Sequence, residues 1–418
     1  MKDLRKQADY IIEKAIKAVL PDEAVKRALQ GREFSGQVLL VAIGKAAYQM
    51  AKTARDVLGS RLDKGIVITK YSHVKGPIEG IRCFEAGHPV PDENSFFATQ
   101  RTIELVSGLN AEDTVIFLIS GGGSALFEKP LIPEDELQDV TTQLLKRGAS
   151  ITEMNTIRKR LSGVKGGRFA DLCAPAKVFS IVLSDIVGDP LDMIASGPAY
   201  PDSSTCEEAI NIAKKYKLRL SDAAWERLKT ETPKELRNVE TLITGSVREL
   251  CRSAKNACEE LGYKTEILTD TLDCEAKDAG RWLAGIAKKH HTTDRKLAFI
   301  AGGETVVHVT GTGLGGRNQE LALAAAEGIK GMKAAVFSVG SDGTDGPTDA
   351  AGGYVDGESA GRFLKKGIDI EQMLRDNDSY HALEAVGGLI VTGPTGTNVN
   401  DFACVLVEPE KQKNFLKF

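Results

Sequence analysis

The sequence predicts an α/β protein: a mostly parallel sheet covered by helices on both faces, followed by a second, smaller α/β set. Three observations carry this. Strand-sized apolar runs such as Val38 to Ile43 and Val115 to Ile119 are rich in residues suited to burial on both faces. Segments of helical period lie between them. Glycine is abundant, 42 residues in 418, and it clusters where the apolar runs end.

In chain order, Asp3 to Leu20 carries Ile11, Ile12, Ala15, Ile16 and Val19 at helical spacing. Gln37 to Ile43 reads as a strand ending in Gly44, with a helix over Ala46 to Leu58. Strands follow at Gly65–Thr69 and Arg82–Ala86, then a helix that Asp92 caps and that runs to Val106. Thr114 to Ile119 is a strand ending in SGGGS; Glu134 to Gly148 is helical; Lys177 to Leu183 is a strand stopping at SDIVGDPLDMIASGP. The polar stretch Thr230 to Asn238 reads as a boundary, giving domains 1–235 and 236–418, the last strand or helix being free to pack back on the first domain.

The second set comprises strand 240–243, helix 247–261, strand 264–268, helix 275–289 and strand 297–301. A short extended piece at 305–309 and strand 334–339 come next, then helical pieces within 357–374 and 379–386, strand 388–391 and a final strand 402–408.

Composition narrows the function classes. With 42% apolar and 27% charged residues the chain reads as an ordinary folded protein. A formal net charge of -4 and the lack of a Lys/Arg block argue against nucleic-acid binding. No apolar run reaches bilayer length and the MKDLRKQ start is polar, so neither a membrane span nor a signal peptide is expected. Seven scattered cysteines without C-x-x-C spacing, and histidines without H-E-x-x-H, predict neither disulfides nor structural zinc. A reduced, cytoplasmic setting is the expectation, with a homodimer compatible with it.

The strand-end loops hold the chemistry. In open α/β sheets ligands collect where strand carboxyl ends meet helix starts. Lys45 opens a helix directly after a buried strand, a place the helix dipole makes unfavourable for a cation unless an anion sits beside it. Ser120, Gly121, Gly122, Gly123 and Ser124 suit a nest of N–H groups around a carboxylate or phosphate. Arg160 and Lys165 reach the same place if their turn folds inward, whereas a solvated helix face is the simpler reading for Lys159. Two acidic series, Asp185, Asp189 and Asp192, and Asp342, Asp345 and Asp349, offer oxygen ligands for Mg²⁺ or a proton acceptor, or serve only as turn formers.

Gly311 to Gly316 fits G-x-G-x-x-G. A dinucleotide site needs that loop between the first strand and helix of its unit, with an acidic residue about 20 positions on. Here the fingerprint lies deep in the second set and Asp342 comes late, so an NAD site is not the first choice. Arg317, at the next helix start, repeats the electrostatic oddity of Lys45.

The motifs GGETVVHVTGTGLGGRNQELALAAA, SVGSDGTDGPTDAAGG and TGPTGTNVNDF resemble the C-terminal domain called MOFRL. VAIGKAA, AGHPVPDENS, SGGGSALFEKP, MNTIRKRLSGVKGGR and SDIVGDPLDMIASGP resemble the N-terminal domain of the same family, the glycerate 2-kinases. The resemblance covers nearly the whole chain. It implies a Rossmann-like N-terminal domain, a smaller α/β C-terminal domain, and an active site in a cleft between them. It implies ATP-dependent phosphorylation of D-glycerate at the 2-hydroxyl, with Mg²⁺, in serine or glycerate breakdown.

The family's lysine and arginine fall on Lys45 and Arg317, which are expected to bracket the transferring phosphoryl group. Asp189 is the expected base, and Asp189, Asp192, Asp342 and Asp345 are the expected metal ligands. Ser120 to Ser124 with Arg160 are expected on the glycerate carboxylate. Lys45, Gly315, Gly316, Thr395, Gly396 and Asn398 are expected on the nucleotide. The competing readings are an NAD(P)-dependent hydroxypyruvate or 2-hydroxy-acid reductase and a non-catalytic phospho-ligand sensor.

Overall fold

A computed structural model gives the structure of residues 2–184, 186–188 and 190–409. The chain forms two compact units. The first comprises Pro21–Ser184 and Asp189–Thr244; the second comprises Met1–Leu20, Asp185–Gly188 and Gly245–Phe418.

The first unit is built on six strands: β1 (Val38–Ile43), β2 (Lys64–Lys70), β3 (Ile81–Ala86), β4 (Thr114–Ile119), β5 (Lys177–Leu183) and β6 (Val239–Gly245). Their order is β3-β2-β1-β4-β5-β6, with β1 parallel to β2 and β4, β2 parallel to β3, and β4 parallel to β5. Every residue of β1 and β4 is buried, which is why both read as unbroken apolar runs. The chain leaves β1 toward β2 on one side and enters β4 on the other, so the order reverses there. At such a switch point the loops diverge and open a crevice. The register sets Ile43 beside Ile119, which brings Gly44 and Ser120 together at the carboxyl edge.

On one face of this sheet Leu40, Ala42, Val67, Ile116 and Ile181 pack with Met50 and Ala51 of the helix Ala47–Leu58. Elsewhere in the unit Phe117, Phe127 and Phe169 form a cluster with centroids 4.7 to 6.0 Å apart. Phe127 lies three residues beyond the SGGGS loop, at the end of the short helix Gly123–Leu126.

The second unit's strands are β7 (Lys264–Leu272), β8 (Leu297–Gly303), β9 (Ala334–Gly340), β10 (Gly352–Asp356), β11 (Leu389–Ile390) and β12 (Asp401–Val407), in the order β11-β10-β9-β12-β8-β7. Only β7 and β8 pair in parallel; β12 runs antiparallel to both β8 and β9. Alternation divides the sheet into two faces. Ala298, Ile300, Phe337, Phe402 and Cys404 face one core; Phe299, Ala301, Val336, Ala403 and Val405 face another.

Four placements differ from the sequence reading. Strand β6 pairs with β5 in the first sheet, although the polar stretch Thr230 to Asn238, read as a boundary, assigns it to the second set. The helix Lys2–Ala18 belongs to the second unit, where Leu4, Ala8, Ile11 and Ala15 bury against Val247, Leu250 and Ala254 of the helix Val247–Glu260. The last strand is central in the second sheet. Residues 305–309 form no strand, only a bridge from Val306 to Glu275.

Because Ile11 is fully buried in that core, Ile11→Ala is expected to cost about 2–5 kcal/mol of stability. The urea unfolding transition that includes the second unit measures it.

Candidate active site

Each unit gathers its unusual loops at one sheet edge. In the first unit the site begins with the junction of β1 and β4. Gly44 has a φ of +111°, and a Cβ there would lie 2.3 Å from the Ser120 hydroxyl. Ser120 Oγ accepts the Ala46 N–H at 3.1 Å and donates to Ile43 O at 3.3 Å, while the Lys45 N–H donates to Gly121 O at 2.9 Å. Ser120 is buried and spent on this junction; it ties two strand ends together rather than offering itself to a ligand.

Lys45 follows, with an exposed side chain just before the N-cap Ala46 of the helix Ala47–Leu58, which has no side-chain cap. Its backbone carbonyl takes bonds from Thr69 Oγ1 (3.3 Å) and the His73 ring (3.0 Å). No carboxylate pairs with its ammonium among the described residues. Burial, then the charges of Lys45, Lys70 and His73, lowers the pKa of His88 and keeps its ring neutral at pH 7. The two side chains converge on Gly122. A Cβ built there would sit 3.0 Å from His88 Nε2 and 3.2 Å from Lys45 Cγ, and its φ of +86° is left-handed. Glycine is therefore required at 122.

The amides of Gly122, Gly123 and Ser124 find no acceptor among the described residues. Three successive free N–H groups beside a cation make an anion cradle. Its outer wall is Ser124, whose hydroxyl lies 2.9 Å from Ser196 Oγ, and whose carbonyl accepts from Arg158 Nη2 at 3.1 Å.

The neighbouring cations are placed differently from expectation. Arg160 is fully buried: it donates to Ser204 Oγ (2.9 Å), Ser204 O (2.8 Å) and Glu231 (3.3 Å) and stands 3.6 Å from Asp202. A guanidinium so committed has no freedom to hold glycerate, and the expected ligand role is withdrawn. Lys159 is no solvated face either; it is buried and bridges Asp202 (3.1 Å) and Asp192 (3.3 Å). Asp192 is thus the partner of a buried ammonium, which makes it a poor metal ligand. Lys165 is buried on Glu128 (2.7 Å) and Phe127 O (2.9 Å), and burial pulls its pKa down to about 8. Arg158, half-buried at the cradle, is the arginine that the sequence reading passed over. Asp189 lies outside the described residues, as does Asp185.

In the second unit the β8 and β9 carboxyl ends flank the start of β12, since Asp401 is in register with both Gly303 and Gly340. Arg317 opens the helix Arg317–Ala325 and reaches this edge. Its Nε and Nη2 bind the two oxygens of Asp401 (2.5 and 3.1 Å), and its Nη1 binds Glu304 (2.8 Å). Glu304 also accepts from Asn400 at 3.2 Å. Burial works against the charge on Arg317, but the hydrogen bond and charge of Asp401, then the charge of Glu304, outweigh it and hold the guanidinium protonated. Three of its five N–H donors are engaged, leaving two. Sequence reasoning missed Glu304, Asn400 and Asp401; only the GGET and NVNDF motifs hinted at them.

Asp345 is not a metal ligand. Buried at the helix start, it accepts from the Asn318 and Gln319 amides (3.1 and 2.9 Å) and from both side chains (3.2 and 2.9 Å). Its oxygens are saturated as a cap from outside the helix. The Gly311–Gly316 loop is equally structural. Cβ atoms at Gly311, Gly313, Gly315 and Gly316 would lie 2.2–2.4 Å from Asp376, Asp378, Ser379 and Asp345. The amides of Gly311 and Leu314 donate to Asn377 and Asp378 (2.9 and 3.1 Å), and that of Gly313 to Asp376 O (2.8 Å). These glycines let chain pass chain, a packing role that accounts for the G-x-G-x-x-G spacing without a dinucleotide.

Asp342 is half-buried and accepts only the Thr344 amide (2.9 Å) on its side chain. Thr395 donates to Ser341 O (2.6 Å), and Gly396 and Asn398 are exposed. No group of three or more His, Cys, Asp or Glu side chains suited to a metal occurs among the described residues.

Comparison with known proteins now decides the family. Residues 7–229 match the family described as a domain of unknown function, DUF4147, and residues 297–401 match the MOFRL family. A D-glycerate 2-kinase of Thermotoga maritima is 54% identical over 97% of this chain and 98% of its own. The chain belongs to the glycerate 2-kinase family. A glycerate 2-kinase of Pyrococcus horikoshii is 39% identical over 98% of both chains. The crystal structure of a Thermotoga maritima glycerate kinase superposes with a TM-score of 0.92 at 52% identity, covering 97% of this chain and 100% of that one. Among the described residues no helix is long and apolar enough to cross a membrane.

Asp345→Ala would strip the first turn of the Arg317 helix of four hydrogen bonds. The expected cost is roughly 2–4 kcal/mol, read from urea unfolding, with activity lost in proportion to the displaced Arg317.

Proposed function

We propose that the chain transfers the γ-phosphoryl group of ATP to the 2-hydroxyl of D-glycerate, giving 2-phospho-D-glycerate and ADP. The observation that carries this reading is the cradle of the first unit. An exposed ammonium without a counter-charge stands beside three unsatisfied amides and a neutral imidazole. Such an arrangement fits an acidic substrate and a reaction that moves negative charge.

The amides of Gly122, Gly123 and Ser124 take the glycerate carboxylate, with Arg158 bracing the loop through the Ser124 carbonyl. Lys45 neutralises charge on the phosphoryl oxygens as the bond to the leaving group loosens. In the second unit Arg317 offers phosphate oxygens the two N–H groups that Asp401 and Glu304 leave free; those carboxylates fix its plane. Phosphoryl transfer asks mainly for position and electrostatics, and both clusters are rigid in that sense. Asp189 remains the proposed acceptor of the hydroxyl proton.

The second unit's strand-end loops, with Thr395, Gly396 and Asn398 beside Asp342, are the proposed nucleotide contacts. The proposed Mg²⁺ ion is held mainly by ATP phosphates and water, the mode usual for this cation in phosphoryl transfer. When bound, that ion would offset the charge of the phosphates, with Asp342 the described carboxylate best placed in chemistry to assist. A homodimer and a cytoplasmic setting stay proposals on the same footing. The packed Gly311–Gly316 loop speaks against a reductase.

Phosphorus NMR of a reaction holding D-glycerate and MgATP tests the reading: 2-phosphoglycerate is expected, and 3-phosphoglycerate or unconsumed ATP would refute it. Lys45→Ala and Arg317→Ala are each expected to lower kcat about 100-fold or more while circular-dichroism melts stay cooperative. Near wild-type turnover in both would remove the charge-neutralisation step.

A further inference from the structure

The loop around Ser196 fixes the direction of a proton. Ala195, Ser196 and Gly197 are successive left-handed residues (φ 51°, 61° and 64°). Two of the three are not glycine, a strain that persists only where the surroundings enforce it. The Gly166 and Gly167 amides hold the Ser196 and Gly197 carbonyls at 3.0 and 2.7 Å. The enforced conformation buries the Ser196 hydroxyl completely, 3.0 Å from Asn155 Oδ1 and 2.9 Å from Ser124 Oγ.

The orientation of Asn155 follows from its other contact. Its Nδ2 lies 3.6 Å from Met193 Sδ, a weak acceptor; the reversed amide would set carbonyl oxygen against sulfur, two acceptors face to face. The carbonyl therefore faces Ser196. A serine hydroxyl has one proton, and that of Ser196 goes to Asn155. The bond to Ser124 must then be donated by Ser124. Its own proton is committed inward, and its lone pairs are left facing the cradle.

From this we propose that Ser124 is a specificity-determining residue that accepts a hydrogen bond from the 3-hydroxyl of glycerate, with Ser196 and Asn155 as the positioning residues that keep it an acceptor. The inference rests on the glycerate 2-kinase reading. A carboxylate cannot donate to an acceptor, and the Lys45 ammonium is given to the phosphoryl oxygens in the proposed reaction, so the substrate group that suits Ser124 is an O–H. The hydroxyl that is phosphorylated must give up its proton to a base, which a neutral serine is not. The non-reacting hydroxyl is what remains. A site built to bond a hydroxyl rejects an analogue that lacks it, because the acceptor is left unpaired.

The test compares D-glycerate with D-lactate, which keeps the 2-hydroxyl and carboxylate but lacks the 3-hydroxyl, by ADP release at saturating MgATP. The wild type is expected to favour glycerate in kcat/KM by at least about 100-fold. Ser124→Ala removes only the hydroxyl and leaves the carbonyl that Arg158 holds. It is expected to cut that preference about tenfold or more through KM for glycerate, with KM for ATP unchanged. Ser196→Ala, which frees the Ser124 proton, shifts the preference the same way. Asn155→Asp, which retains the acceptor for Ser196, preserves it.

Full preference for glycerate in Ser124→Ala would overturn the proposal, as would a loss in Asn155→Asp equal to that in Ser196→Ala. A thermal melt separates misfolding from lost contact; should Ser196→Ala misfold, half-buried Ser124 still decides the matter. No ADP release from wild type with D-glycerate would instead sink the kinase reading on which the proposal stands.

Discussion

Two parallel strands that end side by side and then part company govern the chemistry of the first unit. β1 and β4 stop in register at Ile43 and Ile119, and from the end of β4 the Ser120 hydroxyl bonds Ile43 O and the Ala46 N–H of the chain leaving β1. Everything beyond depends on the closeness of that junction. Gly44 must be left-handed to clear Ser120, Lys45 is thereby delivered to the helix start, and Gly122 is pressed against Lys45 and His88. The amides that follow, of Gly122, Gly123 and Ser124, meet no acceptor among the described residues. The anion cradle is thus a by-product of closing a sheet at its switch point, refined by three glycines.

The cations of the two units are handled in opposite ways. Lys45 is exposed and has no ion pair among the described residues, so its field is available to a ligand. Arg317 is held by two carboxylates, which surrender part of its charge in exchange for a fixed plane. Behind the cradle, Lys159, Arg160 and Asp202 are buried together, and Asp192 and Glu231 at the rim complete their neutralisation. Buried charge of this kind adds little net stability, yet removing one partner is costly. It therefore pins the Pro190–Pro198 segment, whose left-handed residues meet Ser124.

How much of this was legible follows from range. β1 and β4 announce themselves because burial on both faces leaves only apolar residues in them. Lys45 and the SGGGS loop stand out because their oddity is local, a cation at a helix start and consecutive glycines after a strand. β10 was missed: only Tyr354 and Val355 of its GGYVD sequence are apolar side chains, and its acid, Asp356, is buried with bonds to Ser359 and Arg362. Arg160 and Lys159 deceived for the same reason, their partner Asp202 lying more than forty residues on. Asp345 looked like a ligand because its four donors sit in a helix 26 and 27 positions earlier. Acids in loops are ambiguous until the donors around them are placed.

The central claim is that the free amides beside Lys45 receive the substrate carboxylate. Backbone amide shifts in ¹⁵N-labelled protein, followed while D-glycerate is added, measure it directly. The account predicts saturable downfield shifts at Gly122, Gly123 and Ser124 that glycerol, lacking the carboxylate, does not produce. Saturation of the enzyme by glycerate with these three amides unmoved would contradict it.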